Sequence, residues 1–371
     1  MKKILVKTKS KKYPIIIGSK LIKNINKIFK KNFINSSKYL MIVDSKITTK
    51  FLNIFRKSLN KNIIIYKFQS NEKNKNFKSV DNILNILQKK NFNRNDCIIA
   101  IGGGIVGDVS SFAASIFKRG LYFVNIPTTL LAQVDSSIGG KTGINTKFGK
   151  NLIGTFYQPN LVISDTDFLK TLPKREILCG YGEILKHAII KNKKLFIYLS
   201  KNLKNIINLK NPYIEKIIYQ SCLIKKQIVE KDENEKGLRK LLNFGHTFGH
   251  AYEATLGYSK KLNHGEAVIL GIKSASEFSL KKNLLVYKDY LLIINHIKKL
   301  NKFLNISNFF KKRDVAKIIY FMKSDKKNIS KKINLILIKS IENVEIKKFY
   351  KINEIKKFLN NQINSIWIEW I

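Results

Sequence analysis

Three of the five histidines in the chain, His246, His250 and His264, fall within nineteen positions of one another. Neutral imidazole is a common ligand for divalent transition metals, and two histidines four residues apart on a helix project from the same face. A histidine can also cap a helix or form a hydrogen bond in the core, which is the simpler interpretation for any one of them. The cluster as a whole predicts a metal site, and spacing alone favours His246 and His250 as its chelating pair.

A carboxylate in the segment GYGEILKHAII could complete this site. Glu183 and Lys186 lie three residues apart and would share one face of a helix. A glutamate and a lysine at this spacing usually form a solvated pair. The apolar neighbours Ile184, Leu185 and Ile189 instead indicate a helix buried on much of its surface, where a carboxylate needs a cation or a metal as its partner.

A glycine-rich loop lies in the segment CIIAIGGGIVGD, residues 97–108. Gly102, Gly104 and Gly107 fit the pattern GxGxxG between a strand-like run and a helix-like segment. Glycines in this context let the backbone approach a pyrophosphate, and the amides at the start of the helix point at the anion. The alternative is that three glycines simply make a tight turn.

Two features distinguish this loop from the usual Rossmann arrangement. It lies near residue 100 instead of after the first strand, and the next strand-like run, YFVNIP, is followed by Thr128 and Thr129 instead of an acidic residue. We therefore predict a variant nucleotide-binding fold, in which the threonine hydroxyls and Asp108 replace part of the usual contacts.

The segment from Gln133 to Pro159 contains five glycines, three lysines and no long apolar run. Ordering glycine costs backbone entropy, so a loop this rich in glycine is usually shaped around a ligand or a tight turn. Its lysines, Lys141, Lys147 and Lys150, are either ligand contacts or surface residues, and for Lys147 the surface role is the preferred interpretation.

Size and charge limit the classes of protein to consider. At 371 residues and 44% hydrophobic content, the chain is long enough for two domains and a large core. A net charge of +45 would ordinarily suggest a nucleic acid or a membrane surface as partner. Only six of the 70 basic residues are arginines, however, and the lysines are dispersed without aromatic stacking platforms. A small acidic substrate fits the charge as well.

Cysteine usage and the N-terminus indicate the compartment. Cys97, Cys179 and Cys222 are odd in number, far apart and without CxxC spacing, so neither a disulfide framework nor a thiolate zinc site is indicated. The basic N-terminus lacks the cleavage site of a signal peptide, and no run approaches the roughly 18 apolar residues that a membrane span needs. We therefore expect a cytoplasmic protein.

The pattern of apolar residues divides the chain in two. The runs YPIII, YLMIVD, NIIIYKF, CIIAIGGG and YFVNIP predict buried strands, and segments such as SVDNILNILQKKN and DVSSFAASIFKRG predict helices between them. This alternation predicts an α/β domain with a mostly parallel, Rossmann-like sheet over residues 1–172. From about Leu172 onward the spacing is helical, which predicts an all-α domain over residues 173–371, with Pro173 marking the boundary.

The chain carries, in this order, the motifs GGGIVGD, IPTTLLAQVDSSIGGKTGIN, GKNLIGTFYQP, EILKHAII, LLNFGHTFGHAYE and LNHGEAV. Together they strongly resemble the 3-dehydroquinate synthase family over nearly the whole chain. The resemblance implies a phosphate-eliminating lyase of the shikimate pathway, which leads to aromatic amino acids. Its implied reaction converts 3-deoxy-D-arabino-heptulosonate 7-phosphate to 3-dehydroquinate by transient oxidation, phosphate elimination, re-reduction and intramolecular aldol closure.

The resemblance also implies NAD and one divalent metal, zinc or cobalt, in a cleft between an NAD-binding first domain and a metal- and substrate-binding second domain. It implies Glu183, His246 and His264 as the metal ligands, and a place near the substrate for His250. The NAD contacts that it implies are Asp44, Glu72, Lys75, Gly104, Ile105, Val106, Gly107, Asp108, Thr128, Thr129, Lys141, Lys150, Phe168, Leu169, Lys170 and Thr171. The implied substrate contacts, besides His250, are Asp135, Lys141, Asn151, Lys186, Lys225, Arg239, Asn243 and a lysine of SDKKN, with Lys326 favoured over Lys327.

One departure and three alternatives accompany this interpretation. The chain has Ser70 and Asn71 where the family usually has Asp-Gly before Glu72. The alternatives are a related sugar phosphate cyclase acting on a substrate without a carboxylate, a metal-dependent polyol dehydrogenase, and a basic nucleic-acid-binding protein. Arg239 and the lysines favour a substrate with a carboxylate, and the resemblance suggests a homodimer.

Overall fold

The computed structural model describes residues 1–59, 62–301, 304–324 and 332–364. The chain forms two compact units, one made of Met1–Gly180 and Asn208–Asn234, the other of Tyr181–Ile207 and Glu235–Ile371. The first crossing between the units therefore comes after Gly180, whereas the sequence predicts a boundary between residues 172 and 173. The return of residues 208–234 to the first unit has no signal in the hydrophobic pattern.

A seven-stranded sheet forms the centre of the first unit, in the order β1-β2-β9-β6-β5-β3-β4. Only the pairing of β1 with β2 is antiparallel, and β7 pairs with β8 in a separate hairpin. The predicted parallel sheet is confirmed, and its five predicted strands are β2 to β6. The strands are β1 (Lys2–Lys7), β2 (Lys12–Gly18), β3 (Lys38–Asp44), β4 (Asn62–Phe68), β5 (Cys97–Gly102), β6 (Tyr122–Pro127), β7 (Ile144–Thr146), β8 (Gly149–Ile153) and β9 (Leu161–Asp165).

Helices cover both faces of this sheet. On one face, Tyr39, Met41 and Val43 of β3 share a core cluster with the apolar residues of the first two helices. On the other face, Leu40 and Ile42 share a second cluster with the next two helices. Successive side chains of a strand point to opposite faces of the sheet, so β3 contributes side chains to both clusters. These helices are α1 (Ile25–Lys31), α2 (Thr49–Leu59), α3 (Phe77–Lys89) and α4 (Gly104–Ile116).

The next three helices are divided between the units: α5 (Lys174–Lys191), α6 (Lys193–Ile207) and α7 (Tyr213–Lys231). Helix α5 starts in the first unit and continues into the second, and α6 belongs to the second. Helix α7 belongs to the first unit and contacts β1 and β2 there.

The rest of the second unit is mainly helical, as predicted, but it also contains a β-hairpin. Its elements are α8 (His246–Thr255), α9 (His264–Lys281), α10 (Tyr287–Leu300), α11 (Val315–Ser324), β10 (Lys332–Ser340), β11 (Asn343–Lys351) and α12 (Ile352–Ile363). The antiparallel hairpin of β10 and β11 departs from the all-helical prediction. Helix α9 is buried on nearly all sides between Gly265 and Ser279, so it forms the centre of this unit.

All three cysteines are buried, and none forms a disulfide. Burial raises the pKa of the Cys222 thiol to about 12 and raises that of Cys97 even further. Among the described residues, no helix combines the length and the apolar character that crossing a membrane requires.

Candidate active site

Three side chains of the second unit converge on one point: Glu183 of α5, His246 at the start of α8 and His264 at the start of α9. One potential ligand atom of each lies within 4.8 Å of the other two. Glu183 Oε1 is 3.4 Å from His246 Nε2 and 3.8 Å from His264 Nε2. Two ligand atoms on a tetrahedral ion, each about 2.1 Å from it, are separated by roughly 3.4 Å, so the spacing fits a metal.

Glycines allow the helices that carry these three side chains to approach closely. A Cβ on Gly271 of α9 would lie 2.1 Å from the carbonyl oxygen of Gly245, directly before α8. A Cβ on Gly182, directly before Glu183, would lie 3.0 Å from the carbonyl oxygen of Gly265. Because larger residues would hold these segments apart, the glycines allow the three side chains to converge.

A capping box fixes the first turn of α9 and therefore the position of His264. The Asn263 side chain accepts a hydrogen bond from the Glu266 amide at 2.9 Å, and the Glu266 side chain accepts one from the Asn263 amide at 2.9 Å. These two bonds satisfy amides that the start of a helix leaves unpaired. His264 is thus the first residue of a well-defined helix.

Glu183 is a buried carboxylate that needs positive charge around it. Only 1% of the residue is exposed, its Oε2 forms an ion pair with Lys186, and Lys186 is itself 2% exposed. Neither carboxylate oxygen accepts a hydrogen bond from any other described residue. Burial alone would raise the pKa of Glu183, but Lys186, His246 and His264 hold that pKa well below its usual value. The site therefore presents an ionised carboxylate, the form that binds a cation.

Neighbouring acceptors orient both histidines. His246 Nδ1 donates to the Phe244 carbonyl at 3.3 Å, and His264 Nδ1 donates to Glu253 Oε2 at 2.9 Å. With Nδ1 carrying the proton, Nε2 of each ring keeps its lone pair on the side of Glu183. Burial and the Lys186 charge lower the pKa of His246. Burial also acts to lower the pKa of His264, but the hydrogen bond and charge of Glu253 outweigh it and raise that pKa.

His250 lies beside this group without joining it. Its ring centroid is 5.0 Å from that of His246 and 5.9 Å from that of His264. Among the described residues, no group of three potential ligands contains both His246 and His250, so the pair that spacing favours is not the one that geometry favours. The residue has an exposed surface, yet desolvation of its ring and the neighbouring histidines lower its pKa well below the usual value. These surroundings favour the neutral form of the His250 imidazole.

Two further predicted substrate residues lie on the 3-10 helix Leu238–Asn243 of the second unit. Arg239 is 2% exposed, one of the largest fully buried side chains in the protein. The Asn243 side chain donates to Glu235 Oε1 at 2.8 Å. The favoured Lys326 and its alternative Lys327 lie outside the described residues.

In the first unit, the predicted nucleotide-binding residues gather at the carboxyl ends of neighbouring parallel strands. Asp44 ends β3, the glycine loop follows β5, and Thr128 and Thr129 follow β6. The Thr128 amide donates to the Gly102 carbonyl at 2.9 Å. Helix α4 begins at Gly104, so its free amides, together with Ile105, Val106, Gly107 and Asp108, lie at this edge. Ligands of open α/β sheets bind at such an edge.

A buried lysine links several of these residues. Lys75 is 6% exposed, and its Nζ lies 2.5 Å from Asp108 Oδ2 and 2.5 Å from Asn151 Oδ1. Burial raises the pKa of Asp108, and Lys75 partly offsets this effect. A weaker ion pair joins Lys150 to Glu72 at 3.6 Å. Lysine, carboxylate and amide are therefore held together beside the start of α4.

Other predicted residues of the first unit differ in exposure. Lys225 of α7 donates to Asp135 Oδ1 at 2.7 Å, whereas Lys141 is exposed. The 3-10 helix Thr166–Thr171 buries the side chains of Phe168 and Leu169 in the core, so these two offer only backbone groups to a ligand. In the same turn, Lys170 is exposed and pairs with Asp167 at 2.7 Å, and the Thr171 hydroxyl donates to the Phe168 carbonyl at 3.1 Å.

The fold of this chain is shared by solved structures of sugar phosphate-type synthases. A crystal structure of 2-deoxy-scyllo-inosose synthase complexed with carbaglucose-6-phosphate, NAD+ and Co2+ aligns with a TM-score of 0.87 at 24% identity, covering 97% of this chain and all of the other. A 2-epi-5-epi-valiolone synthase from Streptomyces hygroscopicus subsp. jinggangensis 5008, with NAD+ and Zn2+ bound, aligns with a TM-score of 0.82 at 22% identity, covering 95% and 97%. At these identities the likeness concerns the fold.

Sequence comparison narrows the class to one family. Residues 65–179 match the 3-dehydroquinate synthase N-terminal family, and residues 180–328 match the 3-dehydroquinate synthase C-terminal family. The 3-dehydroquinate synthase of Pelagibacter ubique (strain HTCC1062) is 57% identical, over 97% of this chain and 98% of its own length. That of Dictyoglomus thermophilum is 43% identical, over 93% and 94%. The chain belongs to the 3-dehydroquinate synthase family, as its motifs predict.

Proposed function

We propose that this chain converts 3-deoxy-D-arabino-heptulosonate 7-phosphate to 3-dehydroquinate and phosphate. Membership of the family, at 57% identity over nearly the full length of a relative with this name, supports the reaction. The observation that carries the proposal is the convergence of Glu183, His246 and His264 within 4.8 Å, since the reaction needs a metal-assisted oxidation of a hydroxyl.

A divalent metal, zinc or cobalt, would be held by Glu183 Oε1 and by Nε2 of His246 and His264. When bound, it would act as a Lewis acid that lowers the pKa of a coordinated substrate hydroxyl. The protein's contribution is an ionised carboxylate and two imidazoles whose protons already reside on Nδ1. Lys186 balances the remaining charge of the buried carboxylate.

NAD would be held at the carboxyl edge of the sheet, with its pyrophosphate at the start of α4. When bound, it would supply a hydride acceptor that is regenerated within each turnover. The backbone amides after Gly103 would donate to the pyrophosphate, and Thr128, Thr129 and Lys75 would orient the rest. Both structural relatives described above contain NAD+, which supports this assignment.

The remaining residues would bind and orient the substrate. Lysines and an arginine suit its phosphate and carboxylate, because ammonium and guanidinium groups form charge-assisted hydrogen bonds with both anions. Asp135 accepts a hydrogen bond from the Lys225 ammonium and holds it in place, and the His250 imidazole would accept or donate a proton. This set comprises Lys141, Asn151, Lys186, Lys225, Arg239, Asn243 and one lysine of SDKKN.

Incubation with the heptulosonate phosphate, zinc and NAD in catalytic amount tests the function. We expect one phosphate released per substrate consumed, 3-dehydroquinate as the product, and no accumulation of NADH absorbance. Accumulation of NADH in proportion to product would instead identify a polyol dehydrogenase. Turnover of a sugar phosphate without a carboxylate, at a higher kcat/KM, would identify a different cyclase.

Two further properties belong to the proposal. A homodimer is the commonest oligomer of soluble enzymes, and light scattering should give twice the 42.9 kDa of one chain. We also propose a cytoplasmic location, supported by three buried cysteines that form no disulfide. Fractionation of the cells that express the protein tests this location.

A further inference from the structure

We propose that Glu253 is a positioning residue for the metal site, holding the His264 imidazole so that Nε2 faces Glu183. The inference rests on the proposed metal-dependent function. Glu253 Oε2 accepts the Nδ1 proton of His264 at 2.9 Å, and Nε2 on the other side of the same ring is 3.8 Å from Glu183 Oε1. The carboxylate and the candidate metal position therefore lie on the two nitrogen sides of one imidazole, the order of a carboxylate–histidine–metal triad.

The geometry of α8 explains how one helix can serve two ligands. Glu253 comes seven residues after His246, which is close to two turns, so both project from one face of α8, with His250 between them. His246 itself reaches the metal position, whereas Glu253 reaches across to the histidine at the start of α9. Helix α8 therefore supplies one ligand directly and orients the other.

The imidazoles of His246 and His264 differ in the hydrogen-bond acceptor that orients each ring. The acceptor for His246 Nδ1 is a neutral carbonyl at 3.3 Å, whereas the acceptor for His264 Nδ1 is a carboxylate at 2.9 Å. The His264 side chain is 34% exposed, against 11% for His246. Packing thus restrains the His264 ring less than the His246 ring, and the charge-assisted hydrogen bond to Glu253 holds it instead. The same hydrogen bond makes the lone pair of His264 Nε2 a stronger ligand for a cation.

Metal titrations of Glu253→Gln test the inference. Apo-protein, prepared by chelation, is titrated with Zn²⁺ by calorimetry and with Co²⁺ while the visible absorption spectrum is recorded. We expect the substitution to weaken binding of both ions by about 10- to 100-fold and to change the Co²⁺ bands, because the ring is no longer held by a charged acceptor. A purely structural role would not change the spectrum of the bound ion.

Glu277→Gln is the matched control. Glu277 is also a buried carboxylate and accepts a hydrogen bond from the Gln362 side chain. It lies thirteen residues after His264 on α9, and thus about 20 Å from it along the helix. We expect its affinity for both ions to stay within about twofold of the unmodified protein, since it contacts neither histidine.

The outcomes separate the inference from the proposed function. Equal affinity and equal Co²⁺ spectra for Glu253→Gln and the unmodified protein would overturn the role of Glu253 and leave the metal site intact. Failure of the unmodified protein to bind either ion would overturn the metal site and the inference together. Should Glu253→Gln not fold, Glu253→Asp, which withdraws the carboxylate by one methylene, must weaken binding; full affinity in that variant would also overturn the inference.

Discussion

At the scale of the residue, burial decides what each titratable group can do. Glu183 keeps its charge inside the protein only because Lys186 and two histidines surround it. Removing one partner of a buried ionic group leaves the other uncompensated, which costs several kcal/mol. The same balance makes the site sensitive to substitutions that change charge without changing shape.

The variant Glu183→Gln should therefore lose bound metal and turnover together. We expect kcat to fall by about 100-fold or more, because the amide is a poor ligand for a divalent cation. Metal content by elemental analysis and phosphate release measure the two effects, and circular dichroism checks that the fold is retained. His264→Ala should behave in the same way. Full activity of either variant after exhaustive chelation would contradict the assignment of the metal ligands.

His296 is a buried histidine whose two ring nitrogens both form hydrogen bonds within the protein. It is 2% exposed, its Nε2 shares a hydrogen bond with the Tyr181 hydroxyl at 2.9 Å, and its Nδ1 shares one with the Ser200 hydroxyl at 2.8 Å. Burial, helped by Lys299, lowers its pKa to about 4. The folded protein thus holds this ring neutral at pH values where the unfolded chain protonates it.

Stability should consequently fall as the pH decreases from about 6.5 to about 4. The unfolded state binds a proton there that the folded state does not, and this linkage costs about 2 kcal/mol at pH 5 relative to pH 7. Urea unfolding of the protein and of His296→Leu at both pH values isolates the contribution. His296→Leu should be less stable at pH 7 but should lose less stability between pH 7 and pH 5. An equal loss in both proteins would show that other groups cause the pH dependence.

Sequence alone could predict part of this residue-scale chemistry. Glu183 and the histidine cluster could be found because buried charge and clustered imidazoles are unusual. The positioning role proposed for Glu253 could not be predicted, since it depends on the distance between α8 and α9. The convergence of His264, and not His250, with Glu183 and His246 likewise depends on tertiary packing.

At the scale of the element, the contact between α8 and α9 positions the site. A Cβ on Gly249 of α8 would lie 2.8 Å from the Ala267 carbonyl oxygen, and one on Gly271 would lie 2.1 Å from the Gly245 carbonyl oxygen. Both contacts are with backbone atoms, which cannot move aside as a side chain can. The short distance between α8 and α9 therefore depends on having glycine, without a Cβ, at positions 249 and 271.

Gly271→Ala should destabilise the protein by about 3 kcal/mol or more and weaken metal binding, because the helices must separate. Gly257→Ala is the control: its Cβ would meet nothing within 4 Å, and its φ of +65° alone costs about 1 to 2 kcal/mol. Urea unfolding and Zn²⁺ titration measure both effects. If Gly271→Ala were no less stable than Gly257→Ala, the close approach of the helices would not matter.

Elements with strong hydrophobic periodicity were predictable, and others were not. Strands β2 to β6 are continuous apolar runs, typical of parallel strands that are buried on both faces. Strand β1 is not predicted, because it is short and buries only two side chains, Ile4 and Val6. The hairpin of β10 and β11 is not predicted, because its apolar residues lie within a region whose spacing is otherwise helical.

At the scale of the whole molecule, the net charge of +45 is the dominant property. Dispersed lysines repel one another in the compact state, and dissolved salt screens this repulsion. The carboxylates that could offset it number only 25 aspartates and glutamates together. The folded state should thus depend on ionic strength more than that of a neutral protein.

We expect Tm to rise by several degrees between roughly 20 and 300 mM NaCl, as screening removes the repulsion. Differential scanning calorimetry measures this rise. A variant with glutamine at four exposed lysines, Lys23, Lys27, Lys30 and Lys31, provides the comparison, and its Tm should rise less. A Tm that stays constant or falls with salt would indicate that the charge is tolerated without cost.

The burial of all three cysteines has a practical consequence. A thiol reacts as its thiolate, and burial keeps Cys97, Cys179 and Cys222 out of reach of maleimide reagents in the native protein. One cysteine introduced on the β7–β8 hairpin, at the 80% exposed Phe148, would then be the single attachment point for a fluorophore. Addition of NAD or substrate could then be monitored by fluorescence at that hairpin without first removing any native cysteine.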